Sequence, residues 1–449
     1  MMAFTSVRSA ETAPSPAGST LLIDAAITAL VLLAVVSVFT VSSALLTSWK
    51  VHYITSGGNF YEKLHPATYF VLIALFLTTI RNGDPVGDLG RVFSAAPWLL
   101  FYLMCWAWLL IQMIATEQPF TAIIDTFLLP LLFSVVLWQL SPQQKTPILW
   151  GLHLAILINI VIGYYEYFSG QRLVPLSLGD MVVLGEWRAS ALLGHPLTAS
   201  GVIAAYVIAL VFRPAICPPA ILRVPLIVVS LASLMVFGGR TSLITVLFIL
   251  GSAAAIRLFR ILRGERMSLL AVCMAICLLL VGGATLFVVL DSGIFDKMLL
   301  RFSSDRGSAM TRFAAVSLLS HFDWHELIWG PDPSRAAALQ NLLGLKHGIE
   351  DFWIACVVQY GIFTTMLLTL GLAAMFAEIL RRAAGAAWLI VLLIVIVAAT
   401  SVSFSSKNIQ LAQFAVLIIL LLPREPVKAS AFRPRGQPPL VRTYAWGDA

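Results

Sequence analysis

Between positions 291 and 350 the chain carries Arg301, Arg306, Arg312 and Arg335, and it then closes on KHGIEDFW, where His347, Glu350 and Asp351 stand at the start of an apolar run. Arginine presents a planar fork of donors that can hold two oxygens of a phosphate or diphosphate at once. A histidine steered by a carboxylate can take a proton from a hydroxyl near neutral pH. Together these groups suit the transfer of a group from a lipid-linked diphosphate to an alcohol. The arginines would hold the charge that builds on the leaving diphosphate, and His347 would act as the base. If the helix after the loop begins one turn early, Glu350 and Asp351 share a face with His347, and either can fix its tautomer. The purely structural alternative is an interfacial histidine followed by an acidic first turn, which favours any helix N-terminus.

Two further cations border apolar segments. Arg188 lies in GEWRASALLGHP and Arg240 in a GGR turn. Taken alone, Arg188 also suits a side chain that reaches out of the membrane to its interface. Arg301 and Arg306 are either further diphosphate ligands or counter-charges for Asp296 and Asp305. The sequence has no GxxxxGK[ST], HExxH, paired CxxC or DxD signature, so neither nucleotide hydrolysis nor zinc chemistry is signalled, and no metal or cofactor is expected. His321, Asp323 and His325 lack a fourth ligand and read as loop packing.

These residues must be positioned by membrane helices. Hydrophobic residues make up 59% of the 449 and charged residues 11%, with a mean hydropathy of +0.92. A water-soluble domain could not cover its surface with so little charge. Apolar runs near 21–47, 64–80, 92–115, 119–140, 148–168, 191–212, 222–238, 241–258, 268–290, 351–380, 387–404 and 409–422 predict an all-α polytopic protein with about twelve spans. Its one long loop, 291–350, falls between the ninth and tenth. The organisation expected is an N-terminal tail over 1–20, an integral membrane domain over 21–422 and a basic tail over 423–449. The first apolar run is too long for a secretory signal and should remain as a span.

Seventeen of the 29 Lys and Arg fall on one side of this map and six in the short loops of the other. Positive loops are retained in the cytoplasm, so both termini are expected inside and the 291–350 loop outside. All five cysteines lie in spans or on the inner side, so no disulfide is expected in the loop. Within the loop, Phe313, Val316 and Leu319 recur at helical spacing, as do Leu339, Leu342 and Leu343 after a PDPS start that Asp332 can cap. The YYEYF run at 164–168 reads as an interfacial aromatic belt, with Glu166 near enough to the surface to stay hydrated. Asp125 is the main ionisable residue expected within a span.

The order of RASALLGHP at the start of a middle span, GGRTS, RFSSDRGSAMTR, IWGPD, HGIEDFW and QYGI resembles the O-antigen ligase and polymerase superfamily, over roughly 180–365 in motif order and the whole chain in topology. That resemblance implies a metal-independent glycosyltransferase of the bacterial inner membrane, acting at its periplasmic face on an undecaprenyl-diphosphate-linked glycan. Arg188, Arg312 and His347 match the catalytic positions. Arg240, Arg301, Arg306, Glu350 and Asp351 are candidate substrate contacts. Gly239 stands where a serine is usual, and the sequence after His347 reads GIED where many relatives carry Asn. Partners implied are the lipid-linked glycan, membrane lipid and a chain-length regulator or export protein, with no nucleic acid. A polysaccharide polymerase is the leading reading and an O-antigen ligase its nearest rival. A twelve-span transporter of lipid-linked glycans is a third, disfavoured by the short central connection at 213–223.

Overall fold

The computed structural model describes residues 19–55, 57–81, 83–175, 177–178, 181–182, 188–212, 218–264, 308–345, 348–400, 404 and 406–424. The expected ninth span, 268–290, lies outside the described residues, as do 1–18 and the tail beyond Arg424. Among the described residues the fold is helical, with one antiparallel pair of two-residue strands, β1 (Ser177–Leu178) and β2 (Met181–Val182). Among the described residues six helices are long and apolar enough to cross a membrane: α1 (Ser19–Thr40), α5 (Pro97–Ala115), α6 (Thr121–Gln139), α7 (Pro142–Ser169), α10 (Arg240–Leu262) and α14 (Phe352–Arg382). Shorter apolar helices lie among them: α3 (Pro66–Ile80), α8 (Pro196–Phe212), α9 (Ala220–Phe237), α15 (Ala387–Ala398) and α16 (Gln410–Leu421). The connections carry α2 (Ser43–Ser48), α4 (Pro85–Ala95), α11 (Ser308–Leu319), α12 (Trp324–Trp329) and α13 (Pro333–Leu342).

Proline and capping residues set many of the helix starts. Ser141 closes a capping box with Gln144 ahead of Pro142, and Asp84 accepts from the Gly87 amide ahead of Pro85. The run expected as one span over 92–115 is instead two helices. Pro97 disfavours a helical residue before it, so Ala96 leaves the helix (φ −133, ψ 64) and separates the amphipathic α4 from α5. Helices approach closely where glycine removes a side chain, as Gly371 of α14 does against Tyr102 and Cys105 of α5.

The first apolar run is also broken, between α1 and α2. Carbonyls freed at the break are recovered by side chains from three other elements. Gln413 Nε2 donates to Val38 O at 2.7 Å, Asn159 Nδ2 to Phe39 O at 2.7 Å, and His65 Nε2 pairs with Val41 O at 2.7 Å. In an apolar medium an unmatched carbonyl is expensive, so these three polar residues tie α16, α7 and the start of α3 to one point.

Asp125 organises the neighbouring contacts. It sits in a widened π turn of α6, where Pro130 has no amide to give. The loosened carbonyls of Ile123 and Phe127 accept from Trp106 Nε1 (3.1 Å) and Tyr102 Oη (2.6 Å) of α5. The fully buried carboxylate accepts from Thr68 Oγ1 (2.6 Å), Tyr53 Oη (3.0 Å) and the His65 amide (3.0 Å), and Lys407 Nζ lies 3.9 Å away. Lys407 also donates to the carbonyls of Tyr53 and Lys63 and lies over the Tyr53 ring. The connection between α15 and α16 is thereby locked to the one between α2 and α3.

Burial lowers the Lys407 pKa to about 8, outweighing the pull of the Asp125 carboxylate. The unfolded chain therefore binds the extra proton between about pH 8 and the ordinary lysine value near 10.5, and stability rises with pH across that window. A Lys407→Met variant should lack this rise in thermal unfolding. Asp125→Ala leaves the ammonium buried without its counter-charge and should cost about 3–5 kcal/mol, of which the double variant Asp125→Ala/Lys407→Met recovers a part.

These contacts place residues 49–55 and 57–65, the start of α6, and residues 404 and 406–409 at one end of the bundle. The start of α14 joins them through Phe352, whose ring meets Phe127 (6.4 Å) and Phe404 (6.3 Å). At the opposite end, Arg381 and Arg382 pair with buried Glu378 (2.7 and 2.9 Å) and donate to Ala95 O, and Arg81 pairs with Asp24 at 2.9 Å.

Candidate functional site

The loop helices form a small core of their own on the start of α14. Ala315, Leu318, Phe322, Ala336, Leu345 and Ile349 close over Ala355 and Val358. The buried face of α11 is thus only in part the one the spacing predicted, since Leu319 packs against this core. Phe313 and Val316 are exposed together with Met310, because the smaller Ala315 lets α11 approach α14. Asp332 caps α13 as expected, accepting from the amides of Ser334 (2.9 Å) and Arg335 (3.0 Å). Arg335 is engaged inside the loop, with Glu326 at 2.5 Å and His321 O at 3.1 Å. His321 Nδ1 bonds to Ser317 O at 2.9 Å, consistent with packing.

Two sequence motifs meet where this loop docks. Gly330 of IWGPD abuts Gly361 of QYGI, and Gly361 interrupts α14 with φ 82 and ψ 164. A Cβ on Gly361 would stand 2.4 Å from Gly330 N and 2.5 Å from Ile328 O, so the approach requires glycine. Gln112 of α5 stitches the contact, donating to Trp329 O (2.9 Å) and to Tyr360 O (2.8 Å), the carbonyl freed by the kink. Thr364 donates in turn to Gln112 Oε1. Gln112 is nearly silent in the sequence. Its one signal was a polar residue near the end of an apolar run.

Arg312 projects from α11 with its Nε 4.0 Å from Glu350 Oε2, and slightly more than half of its side chain is exposed. A pair so open and so long is worth little as a structural tie, so the guanidinium retains capacity for another anion. Asp351 accepts from the Ile354 amide (2.9 Å) as the N-cap of α14. Helix α14 therefore begins at Phe352 and not a turn earlier. Gly348 has φ +92, so Glu350 and Asp351 do not extend the helix back toward position 347. His347, Arg301 and Arg306 lie outside the described residues.

Arg188 opens a segment held from below by Glu166. That carboxylate is buried and accepts three amides, from Leu173 (3.0 Å), Ser190 (2.8 Å) and Ala191 (2.9 Å). The hydrated surface carboxylate expected at 166 is corrected to an internal clasp, because residues 171–175 and 188–193 lie over the end of α7. Asn159 Oδ1 accepts from Leu193 N at 3.2 Å, and Arg172 donates to the Arg188 carbonyl at 2.7 Å. Gly194, with φ +76, lies against Ser42 at the break in the first apolar run.

Arg240 begins α10, and Gly239 before it packs against Ser200 in α8, whose Oγ reaches Gly239 O at 3.4 Å. A cation at the positive end of a helix dipole is disfavoured by about 0.3–1 kcal/mol, so helix formation alone does not account for arginine there. Gly201, one turn into α8, meets Gln410 at the start of α16. Arg188, Arg240 and Arg312 are thereby carried by elements at the same end of the bundle as the Asp125 lock. Comparison of the chain with protein-family models and with curated proteins gives no match to either.

Proposed function

We propose that this protein is a membrane-integral, metal-independent glycosyltransferase of the polysaccharide polymerase kind. It moves an undecaprenyl-diphosphate-linked glycan onto a sugar hydroxyl at the periplasmic face of the bacterial inner membrane. In this reading the chain spans the membrane twelve times, with the ninth span at 268–290, both termini in the cytoplasm and the 291–350 loop outside. The observation that carries the proposal is Arg312. A half-exposed guanidinium is presented on a docked helix, loosely tethered to Glu350, at the bundle end that also bears Arg188 and Arg240.

The chemistry follows from these groups. The acceptor hydroxyl attacks the anomeric carbon, the bond from that carbon to the diphosphate oxygen breaks, and undecaprenyl diphosphate departs with both electrons. Arg188 and Arg312 grip the diphosphate as its charge grows, which lowers the barrier because the contact strengthens in the transition state. His347 accepts the hydroxyl proton. Arg240, with Arg301 and Arg306, extends the cationic cradle, and Glu350 pairs loosely with Arg312 between turnovers.

Deletion of the gene tests the class of function. Secreted polymer should be lost, and single lipid-linked repeat units should accumulate on the outer leaflet. Wild type should restore polymer, whereas Arg312→Ala should restore less than one hundredth of it, and Arg312→Lys, which lacks the bidentate fork, little more. Intact polymer with an uncapped lipopolysaccharide core would favour a ligase, and accumulation on the inner leaflet a transporter.

A further inference from the structure

We infer that the tip of the long loop, α12, is seated in the lipid bilayer, with Ile328 and Trp329 at the boundary between headgroups and hydrocarbon. The inference uses the membrane character of the helices and is independent of the reaction proposed above.

The geometry fixes the level of the tip. Gly330 meets Gly361, nine residues into α14, so the loop descends roughly 13 Å alongside that helix from its first residue. On the other side, Trp329 O accepts from Gln112, three residues before the end of α5, or roughly 4–5 Å below it. Helix α5 has 19 residues and an apolar composition suited to crossing about 30 Å of hydrocarbon, so its last turn marks the membrane boundary. At that level α5 turns Ile111 and Ile114 outward, 61% and 57% exposed, as a lipid-facing surface does.

Trp329 continues this surface. Its ring contacts Phe363 (5.6 Å), which contacts Trp108 (5.7 Å), and all three remain partly exposed. An aromatic strip therefore runs unbroken from the outer faces of α5 and α14 onto the loop. Tryptophan is favoured where an apolar ring meets lipid and its N–H meets the polar boundary. The partner of this strip is membrane lipid, and the docked loop is held at the bilayer surface instead of standing free in water.

Nitroxide labels on the full-length chain in phosphatidylethanolamine/phosphatidylglycerol vesicles test this. In a cysteine-less background, labels at Trp329→Cys and Ile328→Cys should be at least threefold more accessible to oxygen than to a water-soluble nickel chelate. A label at Ala338→Cys, on an exposed face of α13, should show the reverse order. If Trp329→Cys does not fold, Ile328→Cys carries the measurement. Nickel access at 328 and 329 equal to that at 338 would overturn the inference, as would poor access by both reagents, which marks a side chain enclosed by protein.

Discussion

Replacing Glu166 with leucine should destabilise the protein by about 5 kcal/mol and expose the segment that carries Arg188 to protease. Its carboxylate accepts the amides of Leu173, Ser190 and Ala191 in a buried site, and each orphaned amide costs about 1–3 kcal/mol. The loss is concentrated on one segment, so trypsin cleavage at Arg172 and Arg188 should accelerate before the bundle itself melts. Glu166→Gln keeps one acceptor oxygen but turns an amide group toward donors, so it should fall between wild type and the leucine variant. If Arg188 grips the diphosphate as proposed, transfer activity should follow the same order, because its backbone is held by Glu166. A Glu166→Leu protein with wild-type melting and unchanged proteolysis would refute the clasp.

Gly361→Ala should detach the loop while sparing most of the bundle. At φ 82 and ψ 164 a side chain costs about 1–3 kcal/mol in backbone strain alone. The added Cβ would also meet Gly330 N at 2.4 Å and Trp329 C at 2.6 Å, and backbone atoms cannot swing aside as a side chain can. Helix α12 must therefore lift and break the bonds from Gln112. Hydrogen exchange across 324–345 should quicken, with transfer activity reduced at least tenfold. Gly330→Ala, whose nearest neighbour would be Tyr360 C at 3.2 Å, should be milder than Gly361→Ala. The opposite ranking would show that the glycine contact does not hold the loop.

The helical membrane character was legible in the sequence because apolar runs of span length rarely arise in chains that fold in water. Breaks within those runs were legible only in part. Pro97 carried a signal for the separation of α4 from α5 that the apolar run over 92–115 masked, whereas the break after Thr40 depends on Gln413, Asn159 and His65, which lie far apart in the chain. Helical spacing in the loop marked α11 but only part of its inward face, since Ala315 wins over Phe313 through fit and not through hydrophobicity. Asp125 was visible as a lone acid in an apolar run, and Lys407 as a cation between two apolar runs. Their pairing was hidden because 282 positions separate them. The candidate arginines were picked by type and by motif order, and the close backbone contact gives a physical reason for the glycines of IWGPD and QYGI. The clasp at Glu166 was not legible, since a carboxylate in an aromatic run looks the same whether it faces water or three amides.

The most direct measurement uses purified protein in lipid with a synthetic undecaprenyl-diphosphate oligosaccharide and a chelator in place of added metal. Wild type should convert it to longer chains, and Arg188→Ala, Arg312→Ala and His347→Ala should each reduce that conversion at least a hundredfold while keeping wild-type melting. Products of wild-type length and yield from all three variants would contradict the assignment.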